Sequence, residues 1–321
     1  ATTYGIVYNI PMANKNPKYP VTVSIVIPNW NGKHLMEKHL QNVIDNSYGA
    51  EVVVSDDASI DGSVDYLKKN FPHVVVVTSD KQRGFAGNVD AGVQVATGNV
   101  VVLLNTDVEP ENGWLVPLLR HFTDPTVFGV GCLEKSHEKT GVVLRGRGLS
   151  KWEKGFFVHS KGEVNARATA WVSGGSAAFR RSVWNALGGM NTIYNPFYWE
   201  DIDLSYMAMK SGYRVLFERE SVVHHWHEEG KIKTSFTPDQ VKVIVFRNQF
   251  IFHWKNISDK KILWTHLFWL PIRLVQAMFR FDIIMLRGYF MALGKLPEIL
   301  SERKRLAPLW KRDDRDLIVL A

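Results

Sequence analysis

VVVLLNTDVE, residues 100–109, is the stretch of sequence that decides the fold. Its first five residues, 100–104, are all apolar and predict a strand buried on both faces, as in a parallel sheet. The run ends at Asn105-Thr106-Asp107, which would lie at the carboxyl end of this strand, where open α/β sheets bind their ligands. Asp107 can bind a divalent cation there through its oxygens, although Asn, Thr and Asp also form ordinary turns.

Strands and helices are predicted to alternate before this stretch. Apolar runs predict strands at 21–27, 51–55 and 74–78, and helical spacing of apolar residues predicts helices at 32–45, 63–71 and 85–96. Such close alternation is typical of right-handed βαβ units. The chain is therefore predicted to be an α/β protein built on a parallel sheet.

Three polar loops follow the predicted strands. They are Pro28-Asn29-Trp30-Asn31, Asp56-Asp57-Ala58-Ser59 and Asn105-Thr106-Asp107. Because the carboxyl ends of parallel strands meet at one edge of a sheet, the loops should face one crevice, and their polar groups suit a nucleotide diphosphate. Each polar residue taken alone is more often a helix cap or a turn residue. Neither GxGxxG nor a P-loop motif occurs, which weighs against a dinucleotide oxidoreductase and a P-loop NTPase.

Composition and charge narrow the class of protein. The 321 residues fit one large or two small domains, and the single cysteine, Cys132, excludes an internal disulfide and is compatible with a reducing compartment. The net charge is +7, and residues 255–321 hold nearly all the excess, with 13 Lys plus Arg against 7 Asp plus Glu. A basic tail indicates a phosphate-rich partner, either nucleic acid or an anionic membrane surface. Nucleic acid is not expected, because no RNA- or DNA-binding motif is recognised.

Residues 110–177 show a looser pattern. The segment 135–166 is long, Gly-rich and charged, and it is predicted to be a mobile surface segment. The small residues of Trp171 to Ala177, which include Gly174 and Gly175, would let the backbone approach a ligand closely, although tight packing explains them equally well.

An acidic cluster lies at 197–204, FYWEDIDL, and leads into a helix predicted at 202–210. Carboxylates in a first helical turn are stabilised by the helix dipole, so some of them can be purely structural. Trp199 beside Glu200 and Asp201 would nevertheless suit a sugar. An apolar wall can also raise the pKa of a carboxylate toward that of a useful general base.

A histidine cluster, His224-His225-Trp226-His227, follows strand-like residues at 215–217 and 221–223. A single histidine of this kind is more often a packed or surface residue. Three within four positions suggest that at least one binds a metal or a phosphate. Their spacing is not that of a zinc site.

The C-terminal region, residues 236–321, is predicted to be helical. Its longest uncharged run, 262–272, is shorter than the roughly 20 residues that span a bilayer. Arg273, Arg280 and Arg287 recur every seven residues, which would keep them on one helical stripe. We expect helices that lie on an anionic membrane surface; packing on the catalytic domain or a homodimer interface are the alternatives.

Seven segments, taken together, resemble the family-two glycosyltransferases, inverting enzymes of the GT-A fold, and especially their bacterial rhamnosyltransferase and polysaccharide branch. The segments are SIVIPNWNG (24–32), VVSDDASIDGS (53–63), RGFAGNVDAG (83–92), LLNTDVEP (103–110), VSGGSAAFRR (172–181), FYWEDIDLSYMAMKSGYRV (197–215) and VVHHWH (222–227). They occur in the family's order. The resemblance implies a GT-A domain at 21–235, with a nucleotide-binding half (21–109) and an acceptor half (110–235), after an N-terminal extension (1–20).

The resemblance also implies how a nucleotide-diphosphate sugar would be bound. Asp56 or Asp57 would contact the nucleobase and ribose, and Asn105-Thr106-Asp107 stands at the family's DXD position. Asp107 would bind Mn²⁺ or Mg²⁺, and either His224 or His225 would complete the metal shell. Asn105 replaces the first Asp of the motif and would lower metal affinity. The implied donor-binding residues are Pro28, Asn29, Asn31, Asp56, Asp57, Arg83, Asn88, Asn105, Thr106 and Asp107.

On the acceptor side, the resemblance implies that Asp201 is the general base and that Glu200 holds the acceptor or orients Asp201. Trp199, Gly174 and Gly175 would lie beside a saccharide or lipid-linked acceptor. The expected setting is cell-surface polysaccharide or glycolipid synthesis by a cytoplasmic protein on the inner face of the membrane. One alternative is a sugar-phosphate nucleotidyltransferase, but the sequence PNWNG does not match the Gly-rich loop of that class. The other alternative is a non-catalytic nucleotide-sugar-binding scaffold.

Overall fold

The computed structural model of the chain describes residues 21–226 and 235–318. The N-terminal extension predicted at 1–20 and His227 of the histidine cluster lie outside these residues. The described part consists of a large mixed sheet with helices packed against it, followed from Pro238 onward by helices alone.

The amino-terminal part is an alternation of parallel strands and helices, as the sequence predicts. The strands are β1 (Val23–Asn29), β2 (Glu51–Asp56), β3 (Val75–Val77) and β4 (Val100–Leu104), and the helices are α1 (Lys33–Asp45), α2 (Ser63–Asn70) and α3 (Gly84–Val95). The strands pair in parallel in the order β3-β2-β1-β4. All five residues of β4 are buried, because apolar clusters cover both faces of the sheet.

The rest of the sheet is mixed. It contains β5 (Val108–Pro110), β6 (Val127–Glu138), β10 (Ser176–Arg180) and β11 (Arg214–His225), and the order continues from β4 as β10-β6-β11-β5. β10 is antiparallel to both of its neighbours, whereas β6 and β11 are parallel. β11 bulges between Glu218 and Val222, where its register with β6 shifts. The prediction of a parallel sheet with a mixed extension is confirmed.

Short helices connect the strands of this second half. They are α4 (Leu115–Leu119), a 3-10 helix (Arg120–Thr123), α5 (Arg181–Leu187), a second 3-10 helix (Thr192–Tyr194) and α6 (Glu200–Lys210). Trp114, Leu118 and Phe122, which are spaced four residues apart, are buried on one side of these helices. α6 starts two residues before the predicted helix, so Glu200 and Asp201 lie within its first turn.

The segment 135–166 is built of strands, and its prediction as a mobile surface segment is wrong. It contains the end of β6, β7 (Gly141–Arg145), which pairs with β6, and the hairpin β8 (Gly148–Glu153) with β9 (Phe156–Lys161). Phe156 and Phe157 are buried at the start of β9 and pack against Phe250 and Phe252 of the C-terminal helices. The two aromatic residues therefore fix a hairpin whose many charges point to solvent.

Within residues 238–318, five α-helices follow the sheet. They are α7 (Pro238–Asn256), α8 (Lys260–Phe279), α9 (Ile283–Gly294), α10 (Leu296–Leu306) and α11 (Arg315–Ile318), with a 3-10 helix at Ala307–Leu309. Thr237 caps α7: its side chain accepts a hydrogen bond from the backbone of Gln240, whose side chain bonds back to Thr237. Phe250, Ile251 and Phe252 of α7 are fully buried. α7 is thus part of the core that supports the sheet.

α8 differs in two respects from the sequence-based expectation. It has 20 residues and is long and apolar enough to cross a membrane by length and composition, because Arg273 interrupts the uncharged run without ending the helix. The seven-residue arginine spacing does not form one stripe. Arg273 lies in α8, Arg280 follows its last residue, and Arg287 belongs to α9, which begins after a turn at Phe281 with φ of 54°.

Candidate active site

A cleft of about 680 Å³ opens at the carboxyl ends of the parallel strands. Asp107 from the turn after β4 and Asp201 from the start of α6 both line it. The cleft is lined further by Pro28, Asn29, Trp30, Asp57, Gly84, Asn88, Asn105, Thr106, Glu134, Gly174, Gly175, Tyr198, Glu200 and His225. The polar loops of the first half and the acidic cluster of the second half therefore share one cavity.

Asp56 and Asn31 brace the first two loops against each other. Asp56 accepts hydrogen bonds from the side-chain amide of Asn29 at 2.7 Å and from the backbone N–H of Ser59 at 2.9 Å. The side-chain oxygen of Asn31 accepts from the backbone N–H of Ile60 at 2.8 Å. Neither Asp56 nor Asn31 lines the cleft, whereas Asn29 does.

Of the two adjacent acids Asp56 and Asp57, Asp57 is the one that lines the cleft. It accepts hydrogen bonds from the backbone N–H groups of Arg83 at 2.7 Å and Gly84 at 3.0 Å. Burial raises the pKa of Asp57 although these bonds lower it. Asn88 is buried behind it and donates to the backbone oxygens of Ser55 at 2.8 Å and Asn29 at 3.2 Å, so it ties α3 to the two strands.

The adjacent glycines Gly174 and Gly175 connect Asp201 to the turn after β4. The N–H of Asn105 donates to the carbonyl oxygen of Gly175 at 3.0 Å, and the N–H of Gly174 donates to Oδ2 of Asp201 at 3.2 Å. A Cβ on Gly175 would lie 2.6 Å from Nδ2 of Asn105. A side chain there would displace the amide of Asn105, so glycine lets Asn105 keep its place in the cleft.

His225 and His224 lie on opposite faces of β11. Nε2 of His225 is 3.2 Å from Oδ1 of Asp107, and its Nδ1 is 3.6 Å from Oε2 of Glu134, with all three side chains buried. Nε2 of His224 lies instead 2.9 Å from Oε1 of Glu111, outside this cleft. Because side chains alternate along a strand, one histidine of the cluster adjoins Asp107 and its neighbour does not.

The surroundings of His225 determine its charge and what it can bind. Burial alone would lower its pKa, but the neighbouring carboxylates of Asp107 and Glu134 outweigh burial and raise the pKa to about 10. Among residues 21–226 and 235–318, no group of three or more His, Cys, Asp or Glu side chains is arranged to hold a metal ion. Asp107 and His225 would therefore supply two ligands, an oxygen and a nitrogen, and a diphosphate would supply others.

Glu200 and Asp201 form a coupled pair at the start of α6. Burial raises the pKa of both, and the charge of Asp201 raises that of Glu200 further. Oε2 of Glu200 is buried and has no hydrogen-bond partner in the described part of the chain. Two adjacent carboxyl groups in such a site do not both ionise readily, so one of them retains its proton near neutral pH.

Trp199 does not face the cleft, and its predicted place on the acceptor side is wrong. It is 3% exposed and packs against Phe157, His159 and Phe252. Tyr198, 42% exposed, lines the cleft in its place. Both residues have positive φ, 70° for Tyr198 and 80° for Trp199, and this turn of the backbone directs the indole into the core.

Sequence reasoning missed the residues that support the acidic cluster. Asn248 of α7 donates to the backbone oxygens of Tyr194, Phe197 and Tyr198 at 2.9, 3.0 and 2.8 Å. Glu134, which accepts from Ser176, was missed as well. Asn248 lies far away in the sequence in a helix that was assigned to the membrane, and Glu134 adjoins a segment predicted to be mobile. No local pattern marks either residue.

Residues 24–188, just over half of the chain, match the family model described as glycosyl transferase family 2. A pre-mycofactocin glycosyltransferase of Mycobacterium tuberculosis is 26% identical over 216 residues, which are 64% of this chain and 43% of that protein. The O-antigen chain rhamnosyltransferase RfbN of Salmonella typhimurium is 25% identical over 214 residues, 64% of this chain and 66% of that protein. The chain thus spans less than two thirds of the length of either relative.

Two solved structures share the fold. GalNAc-T7, solved with UDP, GalNAc and Mn²⁺, has a TM-score of 0.60 at 19% identity, covering 77% of this chain and 49% of that one. The mannosyltransferase PcManGT from Pyrobaculum calidifontis, solved with GDP-Man and Mn²⁺, has a TM-score of 0.55 at 19% identity, covering 92% and 88%. At this identity the likeness shows the GT-A-like fold alone.

Proposed function

The chain belongs to glycosyl transferase family 2, and from that membership we propose that it transfers a sugar, with inversion, from a nucleotide diphosphate to an acceptor hydroxyl. The observation that carries the proposal is that Asp107 and Asp201, far apart in the sequence, line the same cleft. The UDP and GalNAc in the GalNAc-T7 structure and the GDP-Man in the PcManGT structure support the class of donor. Cell-surface polysaccharide or glycolipid is the class of product we propose.

The cofactor we propose is a divalent cation. Asp107 and His225 would hold it, and the imidazole favours Mn²⁺ over Mg²⁺. When bound, the cation would stabilise the negative charge that grows on the leaving diphosphate. His225 must release its proton to serve as a ligand, and its raised pKa therefore makes metal binding release a proton at neutral pH.

Asp201 is the base in this proposal. An acceptor oxygen attacks the anomeric carbon opposite the diphosphate, the bond from that carbon to the diphosphate breaks, and the hydroxyl proton passes to Asp201. The N–H of Gly174 orients the carboxylate. Glu200 keeps its own proton because burial raises its pKa, which leaves the negative charge on Asp201. Tyr198 offers the acceptor an aromatic surface in place of Trp199.

The test is a panel of UDP-, dTDP- and GDP-sugars with Mn²⁺. The true donor should raise the melting temperature and then release its nucleotide diphosphate in the presence of an acceptor. Asp201→Asn should keep the stabilisation and lose turnover by roughly 10²-fold or more. Asp65→Asn, at an exposed carboxylate of α2, is the matched control.

Two results would contradict the proposal. If no nucleotide sugar stabilises the protein, the donor class is wrong. If Asp201→Asn turns over as the control does, the base is elsewhere.

A further inference from the structure

The outer surface of α8 and α9 is an apolar face. On α8 it consists of Trp264, Leu267, Phe268, Val275, Met278 and Phe279, which their spacing places on one side of the helix, and it continues through Phe281, Ile283, Phe290 and Met291. Phe279 and Phe281 are 82% and 85% exposed. An apolar stripe of this length that points to solvent marks a binding surface, because exposed apolar residues are otherwise scattered singly.

The opposite side of α8 is fixed to the protein by polar contacts. The indole N–H of Trp152 donates to the hydroxyl of Thr265 at 2.7 Å, and that of Trp254 donates to Nε2 of His266 at 3.1 Å. Nδ1 of His266 lies 2.7 Å from the carbonyl oxygen of Gly155. α8 therefore lies along the surface, and crossing a bilayer would break all of these contacts.

Cations border the apolar face. Lys260 and Lys261 are exposed at the start of α8, and Arg280 and Arg287 are exposed beside its far end. Asp282 is the one acidic residue of the stretch 260–295, and its carboxylate caps the backbone N–H of Met285. Arg273, the one charged residue between Lys261 and Arg280, lies on the opposite side of α8, over the ring of Phe156.

We propose that the apolar face docks on the surface of an anionic lipid bilayer. Its aromatic side chains would enter the interfacial region while Lys260, Lys261, Arg280 and Arg287 contact acidic headgroups. A second copy of the chain fits less well. A two-fold interface brings each patch against itself, so the cations that border one copy would approach those of the other. This proposal goes beyond sugar transfer and does not depend on the donor.

Vesicle flotation of the full chain tests the proposal. It should float with vesicles of equal parts phosphatidylglycerol and phosphatidylcholine, and at least about tenfold more weakly with phosphatidylcholine alone. Phe268→Ser with Phe279→Ser should lower binding at least about tenfold. Ile60→Ser with Val142→Ser, also at exposed apolar residues, is the matched control and should bind as the parent does.

A second pair of variants addresses charge: Arg280→Glu with Arg287→Glu should abolish the preference for phosphatidylglycerol. Phe281→Ser changes a single side chain and should also weaken binding to the vesicles. The melting temperature, measured on every variant, separates loss of docking from loss of the fold.

The proposal is overturned if the parent chain does not float. It is equally overturned if the face variant floats as well as the control. A third overturning result is a dimer in sedimentation that the face variant converts to monomer, since a second copy would then cover the face.

Discussion

Lys255 places its ammonium nitrogen 2.8 Å from both carboxylate oxygens of Asp203, and the two side chains are almost wholly buried. Lys255 lies at the end of α7 and Asp203 lies in α6, two residues after Asp201. Tyr194 also donates to Asp203, at 2.8 Å. The C-terminal helices therefore hold the helix that carries the proposed base, and a chain ending near Ser235 would leave Asp203 buried without its cation.

Removing the cation of this pair should destabilise the protein strongly. Lys255→Met leaves a buried carboxylate without its counter-ion, and we expect the free energy of unfolding in urea to fall by roughly 3–5 kcal/mol. Lys242→Met removes an exposed ion pair with Asp239 on the same helix and should cost no more than about 1 kcal/mol. Equal losses in the two variants would show that the buried pair is not what joins the helices.

Asn248→Ala should impair turnover more than donor binding. Its side-chain amide holds three carbonyls of the loop that ends at Tyr198, so its loss lets Glu200 and Asp201 shift. A displacement of about 1 Å can cost on the order of 10²-fold in rate, and we expect kcat to fall while stabilisation by the donor persists. Gln249→Ala, which removes a single bond to the carbonyl of Phe157, is the control. A change in donor affinity alone would contradict this role.

The two adjacent histidines should differ in their effect on metal dependence. His225→Ala removes the imidazole next to Asp107, and the Mn²⁺ concentration that gives half-maximal activity should rise at least about tenfold. His224→Ala changes a residue outside the cleft and should leave that concentration unchanged. The measurement is activity as a function of Mn²⁺ concentration in both variants. A larger increase in the half-maximal concentration for His224→Ala than for His225→Ala would mean that His224 is the ligand.

Asp90→Asn should change how stability depends on pH. Oδ1 of Asp90 accepts from Trp184 at 3.0 Å and Met190 at 3.1 Å, and burial raises its pKa to about 7. Its stabilising contribution is complete below about pH 4 and is lost as the pH rises through 7, because the native state holds the proton. Asn keeps both bonds without ionising, so the variant should gain stability relative to the parent by several kcal/mol over this range.

Urea unfolding at a series of pH values measures this difference. Asp65→Asn, which changes an exposed carboxylate, provides the control curve. Parallel curves for the parent and Asp90→Asn would show that Asp90 does not hold a proton in the native state.

Sequence reasoning worked best for the first half of the sheet. β1, β2 and β4 are short apolar runs buried on both faces, and a polar turn follows each of β1, β2 and β4, so strand and loop are both local signals. The meeting of the three loops then follows from parallel pairing alone. Asp57 and Asp107 could be assigned to one cleft on this basis.

The rest depends on contacts that lie far apart along the chain. Which of His224 and His225 adjoins Asp107 is fixed by the pairing of β11 with β5 and β6. Trp199 turns inward because residues of β9 and α7 surround it. Neither fact can be obtained from local spacing, since residues more than 20 positions away determine both.

The bulge in β11 makes the register of the end of that strand independent of the register of its beginning. Glu218 pairs with Cys132 and Val222 with Leu133, so the chain passes over the residues between them while β6 advances by one position. Insertions or deletions at this point can be absorbed without rotating the residues that follow. The pairing of the last residues of β11 with β5 and β6 therefore decides which imidazole faces the cleft. The number of residues between the start of β11 and that histidine does not decide it.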